Sequence, residues 1–98
     1  MTHITIDQLA ARSDGVLIDV REPDESATGR VPGARNIPLQ QLRTRLAEIP
    51  ADQPVAVICQ SGRRSIQGAE VLLAAGRDAV TVDGGTAAWA QAGLRLER

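Results

Sequence analysis

The stretch Cys59-Gln60-Ser61-Gly62-Arg63-Arg64-Ser65 concentrates the residue types that could do chemistry, including the only cysteine of the chain. It follows an apolar run, Val55-Ala56-Val57-Ile58, and leads into Ile66-Gln67-Gly68-Ala69-Glu70-Val71-Leu72-Leu73. That order reads as a strand, a tight polar loop and a helix, with Cys59 on the last residue of the strand. A loop that leaves the carboxyl end of a strand and opens a helix turns successive backbone N–H groups inward and adds the positive end of the helix dipole. A thiol in such a cup ionises more readily than a free cysteine. The chemistry proposed is therefore that of a thiolate nucleophile in a small, positively polarised cradle. The plain alternative is a buried structural cysteine; the strand-end position, the glycine three residues on and the two adjacent arginines speak against it.

The neighbours have separable roles. Gly62 lets the loop fold tightly, left-handed angles included. Ser65 can cap the following helix. Asp19 is an acid inside the apolar run Val16-Leu17-Ile18-Asp19-Val20 and must be paired or neutral. Arg21 and Arg64 are its candidate partners, and a salt bridge that organises the loop is favoured over proton transfer, because buried ion pairs mostly fix geometry. Glu22 reads as a surface residue or a loop hydrogen-bonder, and His3 as a bystander near the terminus.

The remaining elements must position these groups. Thr5-Ile6-Asp7-Gln8 fits a capping box ahead of a short helix from about Ile6 to Ala11, after a brief strand at His3-Ile4. Val16 to Val20 is a buried strand. Arg21 to Arg35 is a long loop in which Pro23-Asp24-Glu25-Ser26 could make one helical turn. Ala34 to Ile37 is a brief strand ended by Pro38. Apolar residues at 39, 42, 46 and 49 give a helical period. The helix after Cys59 should run to about Ala75, with Gly76 beyond its end. Ala79 to Val82 is the last strand, and Asp83-Gly84-Gly85-Thr86 a turn and cap before a helix from Ala87 to Ala92. Trp89 reads as core or lid. Strands that are apolar runs, alternating with helices, indicate an α/β sandwich around a largely parallel sheet. Its ligand site should lie outside the carboxyl ends of the strands, where Cys59 and the Arg21 loop converge.

Composition bounds the rest. Ninety-eight residues make one domain, 1–98, with an aliphatic core, since Phe and Tyr are absent and Trp89 is the sole aromatic. The net charge is −1, with no basic patch to argue for nucleic acid. All eleven cations are Arg, which reads as compositional bias. One Cys and one His form neither a disulfide nor a metal cluster, so no metal or cofactor is expected. Met1 leads straight into polar residues and no apolar run is long, so neither a signal peptide nor a membrane span is expected, and the cytoplasm is the expected setting.

Four pieces in order resemble the rhodanese family: Leu17-Ile18-Asp19-Val20-Arg21-Glu22; Gly29-Arg30-Val31-Pro32-Gly33-Ala34-Arg35-Asn36-Ile37-Pro38; Cys59 to Ser65; and Asp83-Gly84-Gly85 with Trp89 and Gly93-Leu94. The resemblance implies a five-stranded, mostly parallel sheet in order 1-5-4-2-3 with helices on both faces. It also implies sulfurtransferase chemistry, with Cys59 taking a sulfane sulfur as a persulfide and Gln60 to Arg64 forming the loop that holds it. By the same match Arg64 closes the loop, pinned by a buried carboxylate, and Arg63 lies at the rim and attracts an anionic donor. The implied partners are a donor such as thiosulfate and an acceptor that is cyanide, a small thiol or a thiol-bearing protein. Ser26 stands where the family commonly has an aromatic, and Arg30 where it has His; the proline usual after Gly93-Leu94 is missing. The same fold hosts phosphatases and arsenate reductases. Four residues separate Cys59 from Arg64, one fewer than in phosphatase loops, and a tighter ring fits one sulfur better than a tetrahedral phosphate. A persulfide relay to a protein and a non-catalytic binding module are the other readings.

Overall fold

The computed structural model describes residues 1–98. Five strands, β1 (Thr2–Ile4), β2 (Val16–Asp19), β3 (Arg35–Asn36), β4 (Val55–Ile58) and β5 (Ala79–Val82), form one sheet in the order β1-β5-β4-β2-β3. Every pairing in it is parallel. The helices are α1 (Ile6–Ala11), α2 (Pro23–Thr28), α3 (Arg64–Ala74) and α4 (Gly85–Gln91). Parallel neighbours need crossovers, and these place helices over both faces.

Side-chain alternation along β4 splits the core in two. Val55 and Val57 face Ala69 and Leu72 of α3, together with Leu42 and Ile49. Ala56 and Ile58 face Leu9 of α1 and Trp89 of α4. α3 lies close on the sheet at Gly68, where a Cβ would stand 3.0 Å from Val57 and 3.3 Å from Val20. Trp89 is core, and its indole Nε1 donates to the Arg95 carbonyl at 2.8 Å, which fastens the tail. The tail is held again by an antiparallel bridge between Arg30 and Glu97.

Several boundaries move. The helix expected over Leu39–Ile49 is two short 3-10 segments, Leu39–Gln41 and Arg43–Glu48, the second kinked at Arg45 (φ −116°, ψ 20°). A 3-10 turn has three residues, so spacings of three still bring Leu42 and Ile49 into the core. α2 extends to Thr28, and α4 begins at Gly85 rather than Ala87. The capping box at Thr5 and Gln8 is present, with both reciprocal hydrogen bonds. No helix is long and apolar enough to cross a membrane.

Candidate active site around Cys59

Because all strands are parallel, β2, β4 and β5 deliver their carboxyl ends to one edge of the sheet. Cys59 is the first residue beyond β4, not its last, and is 1% exposed. The chain then turns back over the sulfur. The Gly62 amide donates to Sγ at 3.1 Å and the Ser65 amide at 3.3 Å. Gly62 has φ +103°, an angle that L side chains rarely adopt, and this points its N–H at the sulfur.

Burial pushes the Cys59 thiol up. The Ser65 hydroxyl and the amides of Ser65, Gly62 and Ser61 outweigh it, so the pKa lies below that of an ordinary thiol. Ser65 is therefore not the helix cap expected of it. It is the second residue of α3, fully buried, with its amide and hydroxyl turned to the thiol, while the cap position falls on Arg63.

A loop that turns its amides inward must turn carbonyls outward, and buried carbonyls need donors. Here α4 supplies them. The amide and hydroxyl of Thr86 donate to the Cys59 carbonyl at 2.8 and 3.0 Å, and the Ala87 amide donates to the Gln60 carbonyl at 3.0 Å. This approach requires Gly85, because a Cβ there would lie 2.5 Å from the Cys59 oxygen and 2.7 Å from that of Gln60. Sequence reasoning took Asp83-Gly84-Gly85-Thr86 as a turn and cap but missed the bonds of Thr86 to the loop, whose only signal was its place after that glycine pair.

The arginines are sorted by their partners. Asp19 pairs with Arg21, not with Arg64; Nε of Arg21 lies 3.0 and 3.1 Å from the two carboxylate oxygens and Nη2 2.8 Å from Oδ2. Nη2 also donates to the Gly29 carbonyl, and Nη1 to the Glu25 carbonyl and Gln60 Oε1. The guanidinium is thus spent as a clamp joining β2, both ends of α2 and the sulfur loop. Arg64 is pinned instead by Glu25, at 2.6 and 2.9 Å in a two-pronged pair. That carboxylate is only half-buried, not buried as expected, and Arg64 holds it down at about 2. Only Val20 separates Asp19 from Arg21, and the Arg21 amide also donates to Asp19 Oδ1 at 3.1 Å, so a local turn closes their pair, and Arg64 needs an acid from elsewhere. Sequence reasoning missed Glu25 as that acid, because the two residues lie 39 positions apart.

Gln60, Ser61 and Arg63 are exposed on the outer side of the loop, and Arg63 makes no ion pair. Glu22 is exposed, and its amide donates to Glu25. Ser26 is buried, and its carbonyl accepts from Arg30 Nη1 at 3.4 Å. Arg30 thus turns toward α2. His3 is not without a partner, since its Nδ1 lies 2.6 Å from Asp83 Oδ1 at the surface.

Comparison with known proteins places this geometry. The family model of the rhodanese-like domain matches residues 5–92. A protein of Allochromatium vinosum named sulfurtransferase is 40% identical over 90 residues, covering 91% of this chain and 84% of that protein. The crystal structure of a rhodanese-like domain protein from Staphylococcus aureus is 33% identical and superposes with a TM-score of 0.88 over the full length of both chains. A rhodanese-related protein from Thermoplasma volcanium is 31% identical, with a TM-score of 0.87 over 99% of this chain and 98% of that one. With a family match over nearly its whole length and the strand order that the motifs implied, the chain belongs to the rhodanese-like domain family.

Proposed function

We propose that this chain is a sulfurtransferase that carries a sulfane sulfur on Cys59 as a persulfide. One observation carries the reading: Cys59 Sγ receives amide hydrogen bonds from Gly62 and Ser65 inside a loop only four residues long between Cys59 and Arg64. The name of the Allochromatium relative supports the same class. In the first step the Cys59 thiolate attacks the outer sulfur of thiosulfate. The new S–S bond forms as the old one breaks, and sulfite leaves with the bonding pair. In the second step cyanide or a thiol attacks the terminal sulfur, and the Cys59 thiolate departs with the pair. The loop amides stabilise the sulfur anion present before and after each displacement. No general base is required, because the lowered thiol pKa favours the ionised attacking group. Ser61, Gly62 and Ser65 hold the anion, Arg64 is kept in place by Glu25, Arg63 draws the donor to the rim, and Asp19 with Arg21 and Gln60 braces the loop.

The test is intact mass after treatment with thiosulfate. One added sulfur, removed by cyanide with release of thiocyanate or by dithiothreitol, is the expected result, and Cys59→Ser should abolish it. Hydrolysis of an aryl phosphate without any sulfur adduct would overturn the proposal in favour of a phosphatase. No adduct at any donor concentration would favour a binding module.

A further inference from the structure

Thr81 is a hydroxyl with no part in the chemistry described so far. It stands in β5 between Val80 and Val82 and is wholly buried. A lone hydroxyl in an apolar sheet is costly unless it is hydrogen-bonded, and valine would fill the same space without that requirement. Its register explains what it is near. Thr81 pairs with Val57 across the β4–β5 ladder, so it lies on the α3 face, one residue pair short of Cys59. There its Oγ1 donates to Ser65 Oγ at 2.7 Å, and the Ser65 amide in turn lies 3.3 Å from Cys59 Sγ.

We propose that Thr81 is a positioning residue for Cys59: by donating to Ser65 Oγ it fixes the serine rotamer and leaves the serine hydrogen free to point at the sulfur. The proposal rests on the reading of Cys59 as the nucleophile. A serine in the first turn of a helix has a competing acceptor, the carbonyl four residues back, here Ser61. A donor behind the serine oxygen removes that choice, and it also polarises the serine O–H toward the next acceptor. The charged groups around the thiol come from other elements: Arg64 with Glu25 from α3 and α2, and Asp19 with Arg21 at the end of β2. The Thr81 and Ser65 side chains hydrogen-bond to neither pair, so a substitution at residue 81 removes no partner from them.

The experiment is a pH titration of thiolate absorbance in wild type, Thr81→Val and Thr81→Ser, with Cys59→Ser as the blank. One cysteine supplies the whole signal. The expected result is that Val moves the midpoint up and slows alkylation at pH 7 roughly threefold, about the worth of half a neutral hydrogen bond or more, while Ser restores both. A folded Thr81→Val protein with the wild-type midpoint overturns the proposal. If Val prevents folding, Thr81→Ala gives the same reading with room to spare. The two ideas fail separately. A wild-type protein that takes no sulfur from thiosulfate overturns the proposed function but leaves the titration readable. An unmoved midpoint overturns the role of Thr81 but leaves sulfur transfer standing.

Discussion

Replacing Glu25 by Gln isolates the ion pair that holds Arg64. Gln keeps the shape, and its amide oxygen still accepts from the Glu22 amide, so the start of α2 is preserved. What is lost is the charge opposite Arg64. A carboxylate held at about 2 instead of 4.5 would correspond to about 3 kcal/mol if wholly shielded from water. The two side chains are 34% and 37% exposed, so solvent screening reduces this to about 1 kcal/mol. For a domain of this size that lowers the melting temperature by roughly 4–8 °C. The pH dependence has a definite sign. The folded pKa is depressed, so the contribution is complete above pH 4.5 and is lost as pH falls through about 2. Melting curves of wild type and Glu25→Gln should therefore differ at pH 7 and converge between pH 4.5 and 2. High salt should narrow the gap at pH 7, because it shortens the range of the attraction. An equal gap at pH 7 and pH 2, or none at either, would refute the assignment of Arg64 to Glu25.

Three further perturbations address the loop. Gly85→Ala places a methyl against two carbonyls at φ +60° and should cost at least about 1–3 kcal/mol, read from the urea midpoint, and should raise the thiol pKa as the loop is displaced. Arg21→Lys replaces a five-donor fork with a point charge; losing several buried charge-assisted bonds should cost about 2 kcal/mol or more, measured by chemical denaturation. The alkylation rate of wild-type Cys59 should level off at lower pH than that of a free cysteine, because its thiolate forms earlier; a midpoint at or above ~8.5 would contradict the hydrogen-bonded cradle.

The parallel sheet and the place of Cys59 at the end of β4 were legible because both are local patterns. Apolar runs mark buried strands, and Cys59 follows one of them directly. The strand order came with the resemblance carried by the four motifs. Partner choice was less legible, since it depends on which side chains the crossovers bring together. Asp19 had two arginines within reach in the sequence, and only the turn after β2 decides for Arg21. Glu25 and Arg64 lie 39 positions apart, and nothing local to either announces the pair. Ser65 resembled a cap because serine often is one, but its side chain is enclosed by the sheet and turned to the sulfur. The period over residues 39–49 correctly marked the buried side, but it does not distinguish three residues per turn from 3.6 when the segment is short.

The grip of α4 on the outward carbonyls of Cys59 and Gln60 separates two properties that are often entangled. The acidity of the thiol comes from the buried Ser65 hydroxyl and from loop peptides locked at both edges, whereas the exposed side chains of Ser61 and Arg63 take no part in that lock. Substitutions at those two positions can therefore change the charge and shape of the loop's outer surface while the hydrogen bonds that set the thiol's acidity stay in place. The loop is in this sense modular, with its outer surface open to drift and engineering, and the acidity of its thiol fixed when the chain folds.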